Sequence, residues 1–260
     1  MIAWIDRAGI EVGTFPVLDA LAPECKVYIT TRSGGVSTGR FESLNLGEGV
    51  GDRRRNIIQN RRKLYASLQI NPYAVARAVQ VHGARIEVVT RGGVYRGVDG
   101  FVTSARGLTL VVNTADCFPL VIYAPSEKVL ATLHAGWSGA SLGIVPKAFE
   151  ILNGRFSINT GHTIGLIGPG ICKNCYTVPK ARSERFPEQF KKRGKSGWHL
   201  DLLSYCIEQL TSCGLERRNI FSANLCTSCD PELFFSHRRD GGHTGRQWTL
   251  ATIERSPQPV

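Results

Sequence analysis

Short runs rich in β-branched and other apolar residues recur along the chain. Their length and composition predict strands. Seven such runs lie at 26–30, 75–81, 86–90, 108–112, 120–123, 129–133 and 163–167. A few helical patterns occur between them, so the sequence predicts an α+β or mixed α/β fold.

Three helices are predicted from apolar residues at helical spacing. The first covers 52–68, with Asp52 as its N-cap. The second follows Gly139, and Pro146 must either kink it or define its start. The third begins at Asp201 and ends at Gly214, a residue type that favours helix C-termini.

The chain of 260 residues has room for one large domain or two small ones, and no repeat or linker divides it. One domain over 1–255 is predicted, with a frayed tail at 256–260. Hydrophobic residues make up 42% and charged residues 20%, which excludes disordered, collagen-like and coiled-coil classes.

The longest apolar stretch, at 108–123, is interrupted by Asn113 and Asp116 and is shorter than a membrane span of about 20 residues. The first residues are too charged for a signal peptide. We therefore expect a cytoplasmic protein without a membrane partner. In that compartment the eight cysteines are expected to be thiols, metal ligands or catalysts rather than disulfides.

Charge adds a weaker indication. Lys and Arg exceed Asp and Glu by 32 to 21, a net charge of +11. This balance favours anionic partners such as phosphate, nucleotides or nucleic acid, although a basic surface that only aids solubility gives the same count.

The segment VVNTADCFPLVIY places Asp116 and Cys117 between two apolar runs. A buried carboxylate costs several kcal/mol unless it is paired, so this interruption indicates a site. The alternative is a structural cysteine capped by a bend.

His82 and His134 each end an apolar run and are closely followed by glycine. Together with Cys117 they form a candidate catalytic zinc site, which commonly has three protein ligands and an open position. Gly136 follows His134 and leads toward a helix, where free backbone N–H groups favour an anion. The spacing along the chain does not establish that the three ligands converge.

Arg61 falls in the middle of the apolar face of the first helix. A guanidinium facing a core needs a protein carboxylate or a bound phosphate. A snorkelling arginine is the alternative.

Two C-x-x-C pairs, Cys172 with Cys175 and Cys226 with Cys229, are typical of tetrahedral zinc knuckles. Knuckles of a zinc ribbon usually lie about 15 to 20 residues apart. A helix and a basic stretch, which we interpret as an exposed loop from Lys191, separate these two pairs, so the ribbon interpretation is weakened.

At these residues the sequence resembles the YfiH family, proteins once called laccase-domain or polyphenol-oxidase proteins and now viewed as purine nucleoside phosphorylases with adenosine deaminase activity. The resemblance covers nearly the whole chain. The matching segments are TRSGGVSTGRFESLNLG, NRRKL, VQVHG, DGFVTS, NTADCFPLVIY, HAGW, IGPGI, CY, WHLDL and LCTSCDPELFFSHRRDGGHTGRQ.

The resemblance implies β-sheets sandwiched between helices and a zinc held by His82, Cys117 and His134. It also implies that Arg61 is an active-site residue and that Asn45 lies in a motif near the site. The implied substrates are phosphate and purine nucleosides such as adenosine, inosine and methylthioadenosine. The C-x-x-C pairs become family features without a metal requirement, and no specific nucleic acid is expected.

Three residues depart from the family pattern. Ser138 replaces an arginine after HAGW, Thr177 replaces a glutamate after Cys-Tyr, and Val98 replaces an alanine before Asp-Gly. These changes spare the zinc ligands but bear on phosphate and purine binding.

The laccase label is tested by composition. A multicopper oxidase needs a histidine-rich trinuclear cluster and a blue-copper site that usually has an axial methionine. The chain has six histidines in all, and Met1 is its single methionine. Multicopper chemistry is therefore excluded as the primary function, while adventitious copper at the two histidines and the cysteine is compatible with the residues.

The leading hypothesis is a monomeric or small homo-oligomeric enzyme in which zinc activates water for adenosine deamination and phosphorolysis uses the same pocket. Arg61 would bind an anionic oxygen or the charge on the leaving base, with Gly136 and Asn45 also near substrate. Asp116 would orient a ligand or carry a proton. Two alternatives are a metal-free hydrolase with Cys117 as nucleophile and a basic zinc-ribbon protein that binds nucleic acid.

Overall fold

The computed structural model describes residues 2–255, and the predicted tail at 256–260 lies outside them. In chain order the helices and strands are β1 (Ala3–Asp6), β2 (Glu11–Thr14), α1 (Val17–Leu21), β3 (Cys25–Thr30), α2 (Arg54–Ser67), β4 (Val75–Val79), β5 (Ile86–Val88), β6 (Gly93–Arg96), β7 (Gly100–Thr103), β8 (Thr109–Thr114), β9 (Phe118–Ala124), β10 (Val129–Ala135), α3 (Trp137–Ser141), α4 (Ile144–Phe156), β11 (Ile164–Ile167), β12 (Thr177–Val178), α5 (Lys180–Ser183), β13 (Lys191–Gly194), β14 (Gly197–Leu200), α6 (Leu202–Ser212), β15 (Ile220–Ser222) and β16 (Gln247–Ile253).

All seven predicted runs contain strands, with ends that differ by a few residues. Two helix predictions need correction. Helix α2 has Arg53 as its N-cap, because the Asp52 carboxylate instead accepts hydrogen bonds from Ser37 and Asn45. The predicted second helix is two helices, α3 and α4, separated by a glycine with a φ of 75° at position 143.

Two other helix predictions are confirmed. Pro146 lies in the first turn of α4, where its missing N–H breaks no helical hydrogen bond. The carboxylate of Asp201 accepts the backbone N–H of Ser204 at 3.1 Å and caps α6.

The strands form a seven-stranded sheet in the order β1-β2-β3-β16-β8-β4-β6, a six-stranded sheet in the order β15-β11-β9-β10-β7-β5, and a small sheet in the order β12-β14-β13. The two large sheets pack face to face. On β9, Val121 and Tyr123 point into the layer between the sheets, whereas Leu120 and Ile122 face α4 and α6.

On the far side of the molecule, Leu64 of α2 packs against the outer face of the seven-stranded sheet. The order of layers is therefore helix, sheet, sheet, helix. This arrangement confirms the mixed α/β fold with sheets sandwiched between helices. Among residues 2–255, no helix has both the length and the apolar character that crossing a membrane requires.

The chain passes from the seven-stranded to the six-stranded sheet three times, between β4 and β5, β6 and β7, and β8 and β9. These three connections hold His82, Asp99, and Asp116 with Cys117. His134 lies near the end of β10 in the six-stranded sheet. The fold thereby brings distant parts of the sequence to one place.

Candidate active site

The nitrogen and sulfur ligand atoms of His82, Cys117 and His134 lie within 4.8 Å of one another. The two imidazole rings meet edge to face with their centroids 4.8 Å apart. His134 is buried, whereas His82 is exposed at the rim. The convergence that chain spacing did not establish is therefore present in the fold.

Asp99 holds both histidines in place, and sequence reasoning missed it. Its Oδ1 lies 2.9 Å from Nδ1 of His134 and accepts the backbone N–H of His82 at 2.9 Å. Its Oδ2 accepts the backbone N–H groups of Val81 at 3.2 Å and Gly83 at 2.8 Å. These contacts stabilise a turn in which His82 has a φ of 58°, a left-handed conformation that is uncommon for a residue with a side chain.

Gly136 leaves the space that the ligands occupy. A Cβ atom at this position would lie 2.8 Å from Sγ of Cys117 and 3.5 Å from the ring of His82. A larger residue would therefore displace the thiol, while its contact with the imidazole would be an ordinary one. Gly136 is also the N-cap of α3, although this helix has five residues and its terminus is not by itself a binding site.

The charges within the triad are mutually stabilising. Burial raises the pKa of the Cys117 thiol, but the charge of His134 and hydrogen bonds from both histidines bring it down to about 6. Burial lowers the pKa of His134, whereas the charge of Cys117 and the bond to Asp99 raise it to about 9. A thiolate and an imidazolium therefore coexist near neutral pH.

The donor set suits a metal ion. Two imidazole nitrogens and one thiolate are the ligands that zinc takes in catalytic sites. Because Nδ1 of His134 faces the Asp99 carboxylate and keeps its proton there, a metal that displaces the Nε2 proton meets the Nε2 lone pair, as is typical of metal-binding histidines. The residues present therefore fit the implied metal, and the same donors accept copper.

Asp116 has partners other than the two histidines. Its carboxylate accepts the hydroxyl of Thr227 at 2.7 Å and the backbone N–H of Arg238 at 2.6 Å. Its backbone φ is 94°. Its contribution to the site is to fix the segment of Cys117 against the chain at Thr227, and no contact with a ligand imidazole supports the predicted orienting role.

Arg61 points toward the site and has a protein carboxylate as its anionic partner. It pairs with Glu48, and its Nε and Nη2 donate to the carbonyl of Leu46 at 3.1 and 2.7 Å. Its guanidinium lies 4.9 Å from the ring centre of Trp248. Of the alternatives left open by the sequence, the protein carboxylate is the one observed.

The triad opens into a cavity of about 590 Å³. Five arginines line it against two carboxylates, so the cavity attracts anions. Four of the five guanidinium groups lie over aromatic rings: Arg61 and Arg77 over Trp248, Arg182 over Trp137, and Arg238 over Tyr176. These contacts hold the arginines in defined positions before any ligand arrives.

Asn45 is completely buried, and its amide is used within the protein. Its oxygen accepts the N–H groups of Gly47 and Arg246, and its nitrogen donates to Asp52 at 2.9 Å. The prediction that Asn45 binds substrate is therefore corrected to an indirect role. It positions Arg246, which does line the cavity.

Asn113 is a second residue that sequence reasoning missed. It lines the cavity, and its side-chain oxygen is buried without a hydrogen-bond partner among the described residues. Its backbone is fixed by the Gln80 amide, which bonds both its N–H and its carbonyl at 2.8 Å. The feature of the sequence that could have identified Asn113 is its position as a polar residue within an apolar run.

The three departures from the family pattern lie in different surroundings. Ser138 leaves no guanidinium after Trp137, but Arg182 covers that ring at 4.4 Å and lines the cavity. Val98 is buried in the layer between the sheets. The carbonyl of Thr177 accepts a hydrogen bond from Arg238 at 2.6 Å.

The two C-x-x-C pairs lie close together in the structure. Their distance along the chain is therefore no argument against a shared metal site. All four sulfur atoms lie within 4.8 Å of one another. A β-bridge between Gly170 and Cys226 joins the two segments. The prediction of an exposed loop from Lys191 is also wrong, because this basic stretch forms the hairpin of β13 and β14.

Comparisons with known proteins identify the family of the chain. Residues 26–254 match the family described as multi-copper polyphenol oxidoreductase laccase. The purine nucleoside phosphorylase YlmD of Geobacillus stearothermophilus is 35% identical, covering 96% of this chain and 95% of the relative. A purine nucleoside phosphorylase of Deinococcus radiodurans is 34% identical over 87% of this chain and 88% of its own.

Solved structures give the same result. The crystal structure of YlmD from Geobacillus stearothermophilus superposes with a TM-score of 0.90 at 33% identity, covering 98% of this chain and all of the other. The Bacillus licheniformis hypothetical protein YfiH gives 0.90 at 29% identity, with 96% and 99% covered. The chain belongs to the YfiH laccase-domain family, which includes the purine nucleoside phosphorylases of Geobacillus stearothermophilus and Deinococcus radiodurans.

Proposed function

We propose that this protein is a zinc-dependent purine nucleoside phosphorylase that also deaminates adenosine. The observation that carries the proposal is the convergence of His82, Cys117 and His134 on a cavity lined by arginines. The names of the relatives support the nucleoside and phosphate substrates. The metal identity and the deaminase activity extend beyond those names.

His82, Cys117 and His134 would hold the zinc. When bound, zinc in a site with three protein ligands supplies a Lewis acid with an open coordination position. Asp99 keeps His134 in the tautomer that presents Nε2 to the metal. Gly136 leaves room for the ligands.

In phosphorolysis, an oxygen of phosphate attacks the anomeric carbon of the ribose. The bond from that carbon to the purine nitrogen breaks, and its electron pair leaves with the base, which then takes up a proton. The products are the free base and ribose 1-phosphate. Arg77 and Arg246 line the cavity and would hold the phosphate, and Arg61 beside them would bind an anionic oxygen or the charge on the leaving base.

In deamination, water replaces the 6-amino group of adenosine, releasing ammonia and leaving inosine.

The test is product analysis after incubation of zinc-analysed protein with adenosine, with and without phosphate. Adenine and ribose 1-phosphate formed only with phosphate, and inosine formed without it, are the expected products. The matched control is Cys117→Ala, which removes one ligand and should remove both activities. Unchanged adenosine with stoichiometric zinc would contradict the proposal.

The low pKa of Cys117 beside His134 favours a second candidate, a metal-free hydrolase with Cys117 as nucleophile. In that case the thiolate attacks an acyl carbon and the imidazolium protonates the leaving group. Removal of metal by a chelator separates the two functions. Removal of the metal abolishes the activity of a zinc enzyme, whereas a cysteine nucleophile stays active and open to alkylation.

A further inference from the structure

We propose that Cys172, Cys175, Cys226 and Cys229 bind a structural Zn²⁺ ion as four thiolates, at a site separate from the triad. All four sulfur atoms lie within 4.8 Å of one another, and Sγ of Cys175 is 3.5 Å from Sγ of Cys229. With zinc–sulfur bonds of about 2.3 Å, a tetrahedral site places its sulfurs about 3.8 Å apart. One observed separation, 3.5 Å, lies just below this value, and none of the others exceeds it by more than about 1 Å.

The backbone around the cysteines has the form of two zinc knuckles. In the first, the N–H groups of Cys175 and Tyr176 both donate to the carbonyl of Cys172 at 3.0 Å, which folds the segment tightly. In the second, the N–H of Asp230 donates to the carbonyl of Cys226 at 3.1 Å. Each C-x-x-C pair thus presents both sulfurs to the same side.

A hydrogen bond to sulfur links the knuckles. The backbone N–H of Cys172 donates to Sγ of Cys226 at 3.2 Å. Such a bond stabilises a thiolate, the form in which cysteine binds metal. Cys226 is buried while Cys229 is exposed, so the ion has a route from solvent, and the displaced thiol protons pass to water.

The cluster also lies next to the wall of the active-site cavity. Ile171, just before the first knuckle, donates to the backbone carbonyl of Asp116 at 2.8 Å. Thr227, inside the second knuckle, donates to the carboxylate of Asp116 at 2.7 Å. Tyr176 follows the first knuckle and lines the cavity. A zinc ion here would hold together the two segments that fix Asp116 and its neighbour Cys117.

The test measures bound zinc per chain in the Cys117→Ala variant, so the result does not depend on the triad. We expect one equivalent of zinc to remain in Cys117→Ala and none in Cys117→Ala with Cys229→Ser. Cys213→Ser in the same background is the matched control, because this partly buried thiol lies outside the cluster, and it should keep the zinc. Cobalt substitution of Cys117→Ala should give the intense sulfur-to-cobalt charge-transfer bands of a four-thiolate site.

Three results would overturn the proposal. The first is a Cys117→Ala protein that contains no metal and whose four cluster cysteines all react with an alkylating reagent while the protein is folded. The second is a disulfide between Cys175 and Cys229 in protein purified without reductant. The third is iron rather than zinc in the purified chain. Failure of the nucleoside assay would leave this test unaffected, because it does not measure turnover.

Discussion

Replacement of Asp99 by asparagine is the sharpest test of how the triad is held. The substitution keeps the shape of the side chain but removes its charge and one acceptor oxygen. The carboxylate now bonds four donors: Oδ1 those of His82 and His134, and Oδ2 those of Val81 and Gly83. An amide accepts with one atom alone, so one pair of donors must face the NH₂ group.

Both orientations of the amide carry a cost. If its nitrogen faces Val81 and Gly83, two partly buried N–H groups lose their acceptors. If it faces His134, the amide donates to Nδ1 and moves the imidazole proton to Nε2, the nitrogen needed by the metal. At about 0.5–1.5 kcal/mol for each lost hydrogen bond, the variant should lose about 1–3 kcal/mol of stability. Zinc affinity should fall about 10- to 100-fold.

Zinc affinity is measured by competition with a chromogenic chelator, and the free energy of unfolding by urea titration. Asp19→Asn is the control, because the side chain of Asp19 is 79% exposed and lies 4.0 Å from Lys26. It should change neither quantity. An Asp99→Asn protein with unchanged zinc affinity and unchanged stability would refute the proposed role of Asp99.

Three further outcomes are expected. Gly136→Ala should lose zinc from the triad while keeping its native circular dichroism, because the added Cβ meets Sγ of Cys117; retention of triad zinc, measured by metal analysis, would contradict this. The pKa of Glu24 is lowered from 4.5 to about 2, because bonds from Lys128 and Tyr123 outweigh burial, which raises it. The stabilisation by this carboxylate is therefore present above a pH of about 4.5 and is lost as the pH falls toward about 2. Urea titrations should find Glu24→Gln less stable than wild type at neutral pH and equally stable in strong acid. A difference in stability that does not change with pH would contradict this assignment. Leu64→Ala should cost about 2–5 kcal/mol in urea unfolding, since this side chain is completely buried under α2, and a loss below about 1 kcal/mol would mean that the helix packs loosely.

The triad was predictable because each ligand had a local signal. His82 and His134 end apolar runs before glycines, and Cys117 interrupts two runs that are both buried strands. The ends of the apolar runs therefore pointed to the two histidines, and the interruption between two apolar runs pointed to Cys117. Asp99 had no comparable signal, because its role depends on the turn at His82 and the end of β10, which meet it only after folding.

The cysteine pairs show where chain distance misleads. The distance along the chain between Cys172 and Cys226 weakens the prediction of a shared zinc site, yet a single β-bridge from Gly170 places the two segments together. Similarly, the break between α3 and α4 depends on a left-handed Gly143, a conformation that glycine permits but does not require. Local pattern predicts elements better than it predicts which distant elements touch.

The position of the three ligands at one end of the six-stranded sheet has a thermodynamic consequence. Cys117 directly precedes β9, which pairs with β10 beside His134, and Asp99 accepts backbone N–H groups of both His82 and His134. A ligand that binds only the folded sheet adds to its stability by mass action, about 2.7 kcal/mol at 100 times its dissociation constant. Metal occupancy and folding of this sheet are therefore linked equilibria, and a change that loosens β9 at Val121 or Tyr123 lowers the apparent metal affinity without touching a ligand.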